Sequence, residues 1–164
     1  MAALIIERLA KAHDRMSFRS GNVELDQYFQ KQAGQDDRRR VARVFAASRD
    51  GGPTIVGFYT LSALSIDVSC LPHSAAKRLP RHPIPCVLVG RLAVGAEFHG
   101  QGIGRMLLAD AIKRTLHASR DIAVYAMIVD AIDAPARAFY QHFGFLSFEQ
   151  NQDRLFLPLK ETSS

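Results

Sequence analysis

Four glycines lie close together in the second half of the chain, between an apolar run and a helical pattern. The apolar run covers 87–94, and apolar residues then recur at about four-residue spacing after Gly104. The glycines are Gly95, Gly100, Gly102 and Gly104. Glycine lets a ligand approach the backbone, and the first N–H groups and the dipole of a helix favour a bound anion. The pattern predicts a strand, a phosphate-binding loop and a helix.

Two common phosphate-binding loops do not fit this stretch. A P-loop ends in glycine, lysine and then serine or threonine, whereas Gly104 is followed by Arg105 and Met106. A dinucleotide-binding fingerprint has GxGxxG early in a βαβ unit, with an acid about 20 residues further on. Here the glycines alternate at 100, 102 and 104, past the middle of the chain. The phosphate ligand therefore belongs to another class.

A second pattern places a tyrosine on an aromatic helix. Asp133 is a suitable N-cap and Gly144 a suitable residue just past the C-terminus. The stripe between them is Ala136, Phe139, Tyr140 and Phe143. A phenol with a pKa near 10 keeps its proton at neutral pH and can act as a general acid. The stripe by itself favours core packing for Tyr140, and both interpretations stay open at this point.

The elements around these two patterns alternate between strands and helices. The predicted strands cover 4–9, 41–48, 54–66, 87–94, 123–130, 145–148 and 154–159. Helices are predicted after Asn22, over 35–40 and 73–78, after Gly104 and after Asp133. The segment 67–85 contains four prolines and is predicted to be a long functional loop. The order predicts an α/β fold with a mixed sheet.

Length and composition predict one cytoplasmic domain spanning residues 1–164. The chain is 48% hydrophobic, which is ordinary for a globular domain. No apolar run approaches the roughly 20 residues of a membrane span, and the N-terminal run is too short for a signal peptide. Cys70 and Cys86 are predicted to be free thiols. Neither they nor the six histidines show metal-ligand spacing, so no metal is predicted.

Positive charge is concentrated in the middle of the chain. The net charge is +5, but residues 38–91 hold nine basic and two acidic side chains, a net +7. The basic residues singled out are Arg38, Arg39, Arg40 and Arg43 in one cluster, and Lys77, Arg78, Arg81 and Arg91 in another. This asymmetry favours a polyanionic partner, with nucleic acid as the leading candidate. A solvated basic face is the alternative.

Together, the two patterns resemble the GNAT superfamily of N-acetyltransferases. These enzymes carry [Q/R]xxGx[G/A] between the fourth strand and the next helix, and the chain has His99-Gly100-Gln101-Gly102-Ile103-Gly104. They also carry an aromatic motif that Tyr140-Gln141-His142-Phe143-Gly144-Phe145 matches. Further segments, among them Val56-Gly57-Phe58-Tyr59 and Gly90-Arg91-Leu92-Ala93-Val94, resemble the TacT-type toxins. The resemblance implies a mostly antiparallel mixed sheet, flanked by helices and splayed between strands 4 and 5.

The resemblance also implies a reaction and its partners. TacT-type toxins transfer acetyl from acetyl-CoA to the α-amino group of an aminoacyl-tRNA, which inhibits translation, with Tyr140 as the general acid. A ribbon-helix-helix antitoxin that binds operator DNA neutralises such toxins, and a homodimer is expected. The implied acetyl-CoA contacts are Leu92, Ala93, Val94, His99, Gly100, Gln101, Gly102, Ile103, Gly104, Arg105 and Phe139. The implied tRNA contacts are the eight basic residues above.

Three departures and two alternatives accompany the resemblance. His99 replaces the usual Gln or Arg, Asp133 stands where many members have Asn, and Ser20 stands where the toxins have Cys.

No general base is evident in the sequence. An α-amine, with a pKa of ~7.7–8.0, has less need of a base than a lysine, with a pKa of ~10.4. One alternative is a GNAT enzyme that acetylates a small amine, a peptide or a protein. The other is a non-catalytic module that binds acyl-CoA or nucleic acid.

Overall fold

A computed structural model describes residues 3–160. The strands are β1 (Leu4–Arg8), β2 (Arg43–Arg49), β3 (Ile55–Ile66), β4 (Ile84–Val94), β5 (Ala126–Asp130), β6 (Leu146–Ser147) and β7 (Arg154–Pro158). The α-helices are α1 (Val23–Lys31), α2 (Ala33–Arg38), α3 (His73–Ala76), α4 (Ile103–Ala118) and α5 (Ala134–His142). Single 3₁₀ turns cover Val68–Cys70 and Ala96–Phe98.

Within residues 3–160, seven strands form one sheet in the order β1-β2-β3-β4-β5-β7-β6. β4 and β5 are parallel, whereas β1–β2, β2–β3, β5–β7 and β6–β7 are antiparallel. The predicted α/β class and mixed sheet are therefore confirmed. The register of β4 with β5 ends at Val89 opposite Val129. β4 continues to Val94, so its last residues lie beyond that parallel ladder.

Residues 3–160 form two compact units, and each has its own apolar core. The first contains the residues up to 62 together with 90–113. Its centre is aromatic: the Phe29 ring stacks on Phe58 with centroids 4.1 Å apart, and Phe18 meets both rings edge-on. Helix α1 supplies Phe29 and begins as predicted, because the Asn22 side chain accepts a hydrogen bond from the Leu25 N–H at 3.0 Å.

The second unit contains residues 63–89 and 114–160. Ile84, Ile128 and Phe156 pack in its core with Phe148, whose ring centroid lies 5.3 Å from that of Phe156. Cys70 and Cys86 lie in this unit and are free thiols, as predicted. The expectation of a single domain over 1–164 stays a prediction.

Element boundaries differ from the predictions where the backbone itself decides them. Helix α2 ends at Arg38 and not at residue 40, because Arg40 has a φ of +62° and cannot continue a right-handed helix. β2 consequently begins at Arg43 and not at 41. β4 begins at Ile84, earlier than predicted. Proline has no N–H to donate, but the Pro85 carbonyl can still accept a hydrogen bond, and it does so from the Tyr125 N–H at 2.8 Å.

Candidate functional site

The predicted phosphate loop begins with a tight turn anchored to the backbone of the first unit. The Gly95 N–H donates to the Val56 carbonyl and the Ala96 N–H to the Arg19 carbonyl, each at 2.8 Å. A Cβ on Gly95 would stand 3.0 Å from Cδ2 of Phe98, closer than ordinary van der Waals contact. Glycine at this position therefore lets Phe98 fold back over the start of the loop.

Two glycines give the rest of the loop its shape. Gly100 and Gly102 have φ values of +80° and +78°, a left-handed conformation that glycine adopts without strain. Nothing lies within 4 Å of where a Cβ would stand on either residue, so the need for glycine is conformational. The first hydrogen bond of α4 runs from the Met106 N–H to the Gly102 carbonyl. By helix geometry the N–H groups of Ile103 and Gly104 point toward the loop and suit an anion.

A third glycine holds α4 against the sheet within the first unit. A Cβ on Gly57 of β3 would stand 2.8 Å from Cδ1 of Leu107 and 2.9 Å from the Ala93 carbonyl oxygen. Leu107 and Leu108 on the helix are fully buried. Close contact at Gly57 therefore fixes the helix whose N-terminus carries the loop.

Two side chains brace the loop from its flanks. The His99 Nε2–H donates to the Val94 carbonyl across the 3₁₀ turn at 2.9 Å. Arg49 at the end of β2 donates to the side-chain carbonyl of Gln101, and its guanidinium lies 5.4 Å from the centroid of the Phe98 ring. The sequence predicted His99 and Gln101 near a ligand. It gave no sign of Arg49, which is 52 residues away in the chain.

Tyr140 lies in the second unit and is buried in an aromatic setting. Its ring meets Phe139 and Phe145 edge-on, at centroid distances of 5.3 and 5.6 Å. The Phe145 N–H donates to the Tyr140 carbonyl and the Gly144 N–H to the Gln141 carbonyl, the Schellman pattern that Gly144 predicted. Burial, with a smaller effect of the Asp130 charge, raises the pKa of the Tyr140 phenol to about 12. The Tyr140 phenol therefore keeps its proton near neutral pH.

The carboxylate that affects Tyr140 is itself held by an arginine. Arg154 donates from Nε and Nη2 to the two oxygens of Asp130, at 2.7 and 2.9 Å. The pair lies on the wall of a cleft of about 650 Å³ in the second unit. This pair could not be predicted from the sequence, because 24 residues separate its members.

Six of the eight predicted tRNA contacts are exposed, and the other two are half-buried in local contacts. The exposed residues are Arg38, Arg39, Arg40, Lys77, Arg78 and Arg81. Arg43 donates to the Asp37 carboxylate at 2.9 Å. The Arg91 guanidinium stacks 3.5 Å from the centroid of the Tyr28 ring. The positive charge of Arg43 is therefore partly offset by Asp37, and that of Arg91 lies against the Tyr28 ring, both within the first unit.

Two further properties concern the described part of the chain only. No helix formed by residues 3–160 combines the length and apolarity needed to cross a membrane. Among the same residues, no three His, Cys, Asp or Glu side chains group in a way that could hold a metal ion.

Comparison with known proteins identifies the family of this loop and helix. Residues 6–145 match the Acetyltransferase (GNAT) family. The chain belongs to this family. The GNAT assignment covers both the glycine loop and the Tyr140 helix, and it agrees with the mixed sheet and its parallel β4–β5 pair.

Proteins similar to this chain include toxins. A tRNA-acetylating toxin of Mycobacterium tuberculosis is 37% identical over 94% of this chain and 91% of its own length. AtaT complexed with acetyl-methionyl-tRNAfMet is 28% identical, with a TM-score of 0.89 and 95% of each chain covered. A Tyr→Phe variant of AtaT, bound to acetyl-CoA and the C-terminus of the antitoxin AtaR, is 26% identical, with a TM-score of 0.80 and coverage of 94% and 92%.

Proposed function

We propose that this protein is an acetyl-CoA-dependent N-acetyltransferase toxin. It acetylates the α-amino group of an aminoacyl-tRNA and so inhibits translation. The observation that carries this assignment is the agreement over 94% of the chain with a tRNA-acetylating toxin. In this proposal the whole chain, residues 1–164, acts as one N-acetyltransferase domain.

The glycine loop binds the pyrophosphate of acetyl-CoA through its backbone. Gly100 and Gly102 give the loop its left-handed backbone, and the N-terminus of α4 adds the N–H groups of Ile103 and Gly104. The remaining loop contacts are those of His99, Gln101 and Arg105. The backbone of Leu92–Val94, beyond the end of the β4–β5 register, holds the pantetheine arm. Phe139 supplies an apolar contact.

Tyr140 donates the proton that the departing CoA thiolate needs. The amine attacks the thioester carbonyl, the C–S bond breaks, and the phenolic proton passes to sulfur. A pKa of about 12 keeps the phenol protonated at every physiological pH. Its aromatic surroundings favour a single ring orientation, and positioned proton donors of this kind contribute ~10²–10⁴-fold to rate.

The attacking amine needs little help to lose its proton. A free α-amino group has a reference pKa of ~7.7–8.0. The neighbouring ester carbonyl lowers it further, so much of the amine is neutral at working pH. Water takes the proton that the amine loses during the reaction, and no dedicated base is assigned.

The exposed basic residues bind tRNA phosphates without reading sequence. Arg38, Arg39 and Arg40 form one patch and Lys77, Arg78 and Arg81 another. Arg43 and Arg91 belong to the same predicted set, with the charge of Arg43 partly offset and Arg91 stacked on a ring.

A ribbon-helix-helix antitoxin neutralises the toxin, and this complex binds operator DNA through the antitoxin. We further propose a homodimer that works in the cytoplasm.

The test is acetyl transfer from labelled acetyl-CoA to charged bulk tRNA, followed by deacylation and identification of the acetylated amino acid. Label on charged tRNA and none on uncharged tRNA is expected. Binding of acetyl-CoA without labelling of any tRNA would overturn the tRNA assignment and leave a GNAT enzyme with another amine acceptor.

A further inference from the structure

Arg49 is a basic residue that lies outside both motifs and yet contacts the phosphate loop. It is the last residue of β2, and the register of β2 with β3 shifts between Ala47 and Ser48, just before it. Such an irregularity in a strand redirects the side chains that follow it. Asp50, with a φ of +57°, then turns the chain away. The backbone at the end of β2 therefore fixes the position from which the Arg49 side chain extends.

The Arg49 side chain makes two contacts within the loop. Its Nη2 donates to the Gln101 side-chain carbonyl, between the two left-handed glycines. Its guanidinium also lies 5.4 Å from the Phe98 ring centroid, within the range of a cation–π contact. Phe98 in turn lies against Gly95. One arginine thus touches both the first turn of the loop and its glycine segment.

We infer that Arg49 is a positioning residue for the phosphate loop, acting on acetyl-CoA affinity through Gln101. Gln101 lies between the two glycines whose backbone is most free to change, so a side-chain anchor there limits the alternative loop conformations. Preorganised amides bind an anion more tightly than amides that must first be ordered. This inference rests on the proposed acetyl-CoA activity.

A double-mutant cycle on acetyl-CoA binding tests this role. Arg49→Ala and Gln101→Ala are each expected to raise the Kd of acetyl-CoA about tenfold, the scale of one hydrogen bond to a charged group. The double variant is expected to bind as weakly as either single variant and no more weakly, because both remove the same contact. The kcat of Arg49→Ala at saturating acetyl-CoA is expected to stay unchanged, and Arg49→Lys is expected to restore part of the affinity.

Controls separate this inference from loss of charge, from misfolding and from failure of the proposed function. Arg120→Ala removes one positive charge from an exposed site beyond the C-terminal end of α4 and is expected to bind as the wild type does. Unchanged melting temperatures would show that the variants fold. Additive effects in the double variant would overturn the inference in favour of direct contact with the ligand, and an unchanged Kd in Arg49→Ala would also overturn it. A wild-type protein that does not bind acetyl-CoA would instead refute the proposed function.

Discussion

The glycine loop and the Tyr140 helix are built on opposite principles. The loop between β4 and α4 is mostly exposed, and its geometry comes from backbone φ values and from the start of a helix. Tyr140 is 6% exposed and has a protonation state set by burial. The first region offers N–H groups that every residue except proline possesses. The second offers one hydroxyl that only tyrosine supplies there.

This difference explains which departures from the family pattern the chain can accept. His99 is a departure from the Gln or Arg of the motif that carries the resemblance, and its side chain donates to the Val94 carbonyl within the loop. The phosphate contact proposed for the loop is made by the backbone, so the side chain at 99 can vary. No equivalent freedom exists at Tyr140. The comparison therefore predicts a large catalytic effect at 140 and a small binding effect at 99.

Replacing Tyr140 by Phe is expected to have the largest effect. The phenyl ring fills the same space between Phe139 and Phe145, so the fold should persist while the proton donor is lost. We expect kcat to fall by ~10²–10⁴-fold, with the Kd of acetyl-CoA within about twofold of wild type. Initial rates on charged tRNA and calorimetric titration measure the two quantities. A variant that keeps more than half of its activity would remove Tyr140 from the chemistry.

Replacing Gly102 by Ala is expected to weaken acetyl-CoA binding about tenfold. A Cβ at a φ of +78° costs roughly 1–2 kcal/mol, and the loop can avoid this cost by leaving its binding conformation. Gly21→Ala is a matched control, because Gly21 has a φ of +97° and equally open surroundings but lies outside the loop. The melting temperatures of Gly102→Ala and Gly21→Ala should fall by similar amounts. Equal loss of acetyl-CoA affinity in both would show that the effect is global and not local.

Replacing His99 by Gln is expected to change the Kd of acetyl-CoA by less than about threefold. The Gln side chain keeps an N–H that can reach the Val94 carbonyl, and a net hydrogen bond contributes only about 1 kcal/mol. His99→Ala removes the donor and should weaken binding somewhat more. If His99→Gln lost most of the affinity, the imidazole itself would contact the ligand, and the backbone description of the loop would be wrong.

The pH profile is expected to show no effect of Tyr140 below pH 10. Its pKa is raised to about 12 from an ordinary value of 10. The rate should therefore rise only with amine deprotonation, below about pH 8, and then stay level to about pH 9.5. The unfolded chain loses this proton first, so the contribution of Tyr140 to stability should decline only between pH 10 and 12. Initial rates and denaturant unfolding measure both. An alkaline fall in rate with an apparent pKa below 10 would contradict the assignment.

Sequence patterns predicted the local parts of both regions because local rules govern them. Asn22 caps α1, Asp133 caps α5, and Gly144 forms the C-terminal turn. The loop followed from glycine spacing next to an amphipathic pattern. The predicted element boundaries were less accurate where the backbone conformation of a single residue sets them. The left-handed Arg40 is the example, because it ends α2 early and delays the start of β2.

Contacts between distant segments could not be predicted in this way. The tRNA contacts of Arg43 and Arg91 stay predictions, but the sequence did not show that Arg43 donates to Asp37 or that Arg91 stacks on Tyr28. Phe58 and Tyr59 belong to a segment that resembles the toxins, and only the structure shows that both are fully buried. A count of charges or apolar residues along the chain carries no information about which partner each one meets.

The sequence by itself determined the order of the elements, the glycine loop at the start of α4 and the aromatic helix with its tyrosine. These depend on neighbours a few residues apart, through hydrogen bonds and φ preferences that are properties of the residues themselves. Only the tertiary structure decided that Arg49 contacts the loop and that Gly57 leaves room for the close approach of α4. It also decided that Asp130, which accepts hydrogen bonds from Arg154, helps to raise the pKa of the buried Tyr140. Those contacts join residues far apart in the chain, and burial, which sets the pKa of the phenol, exists only once the chain has packed.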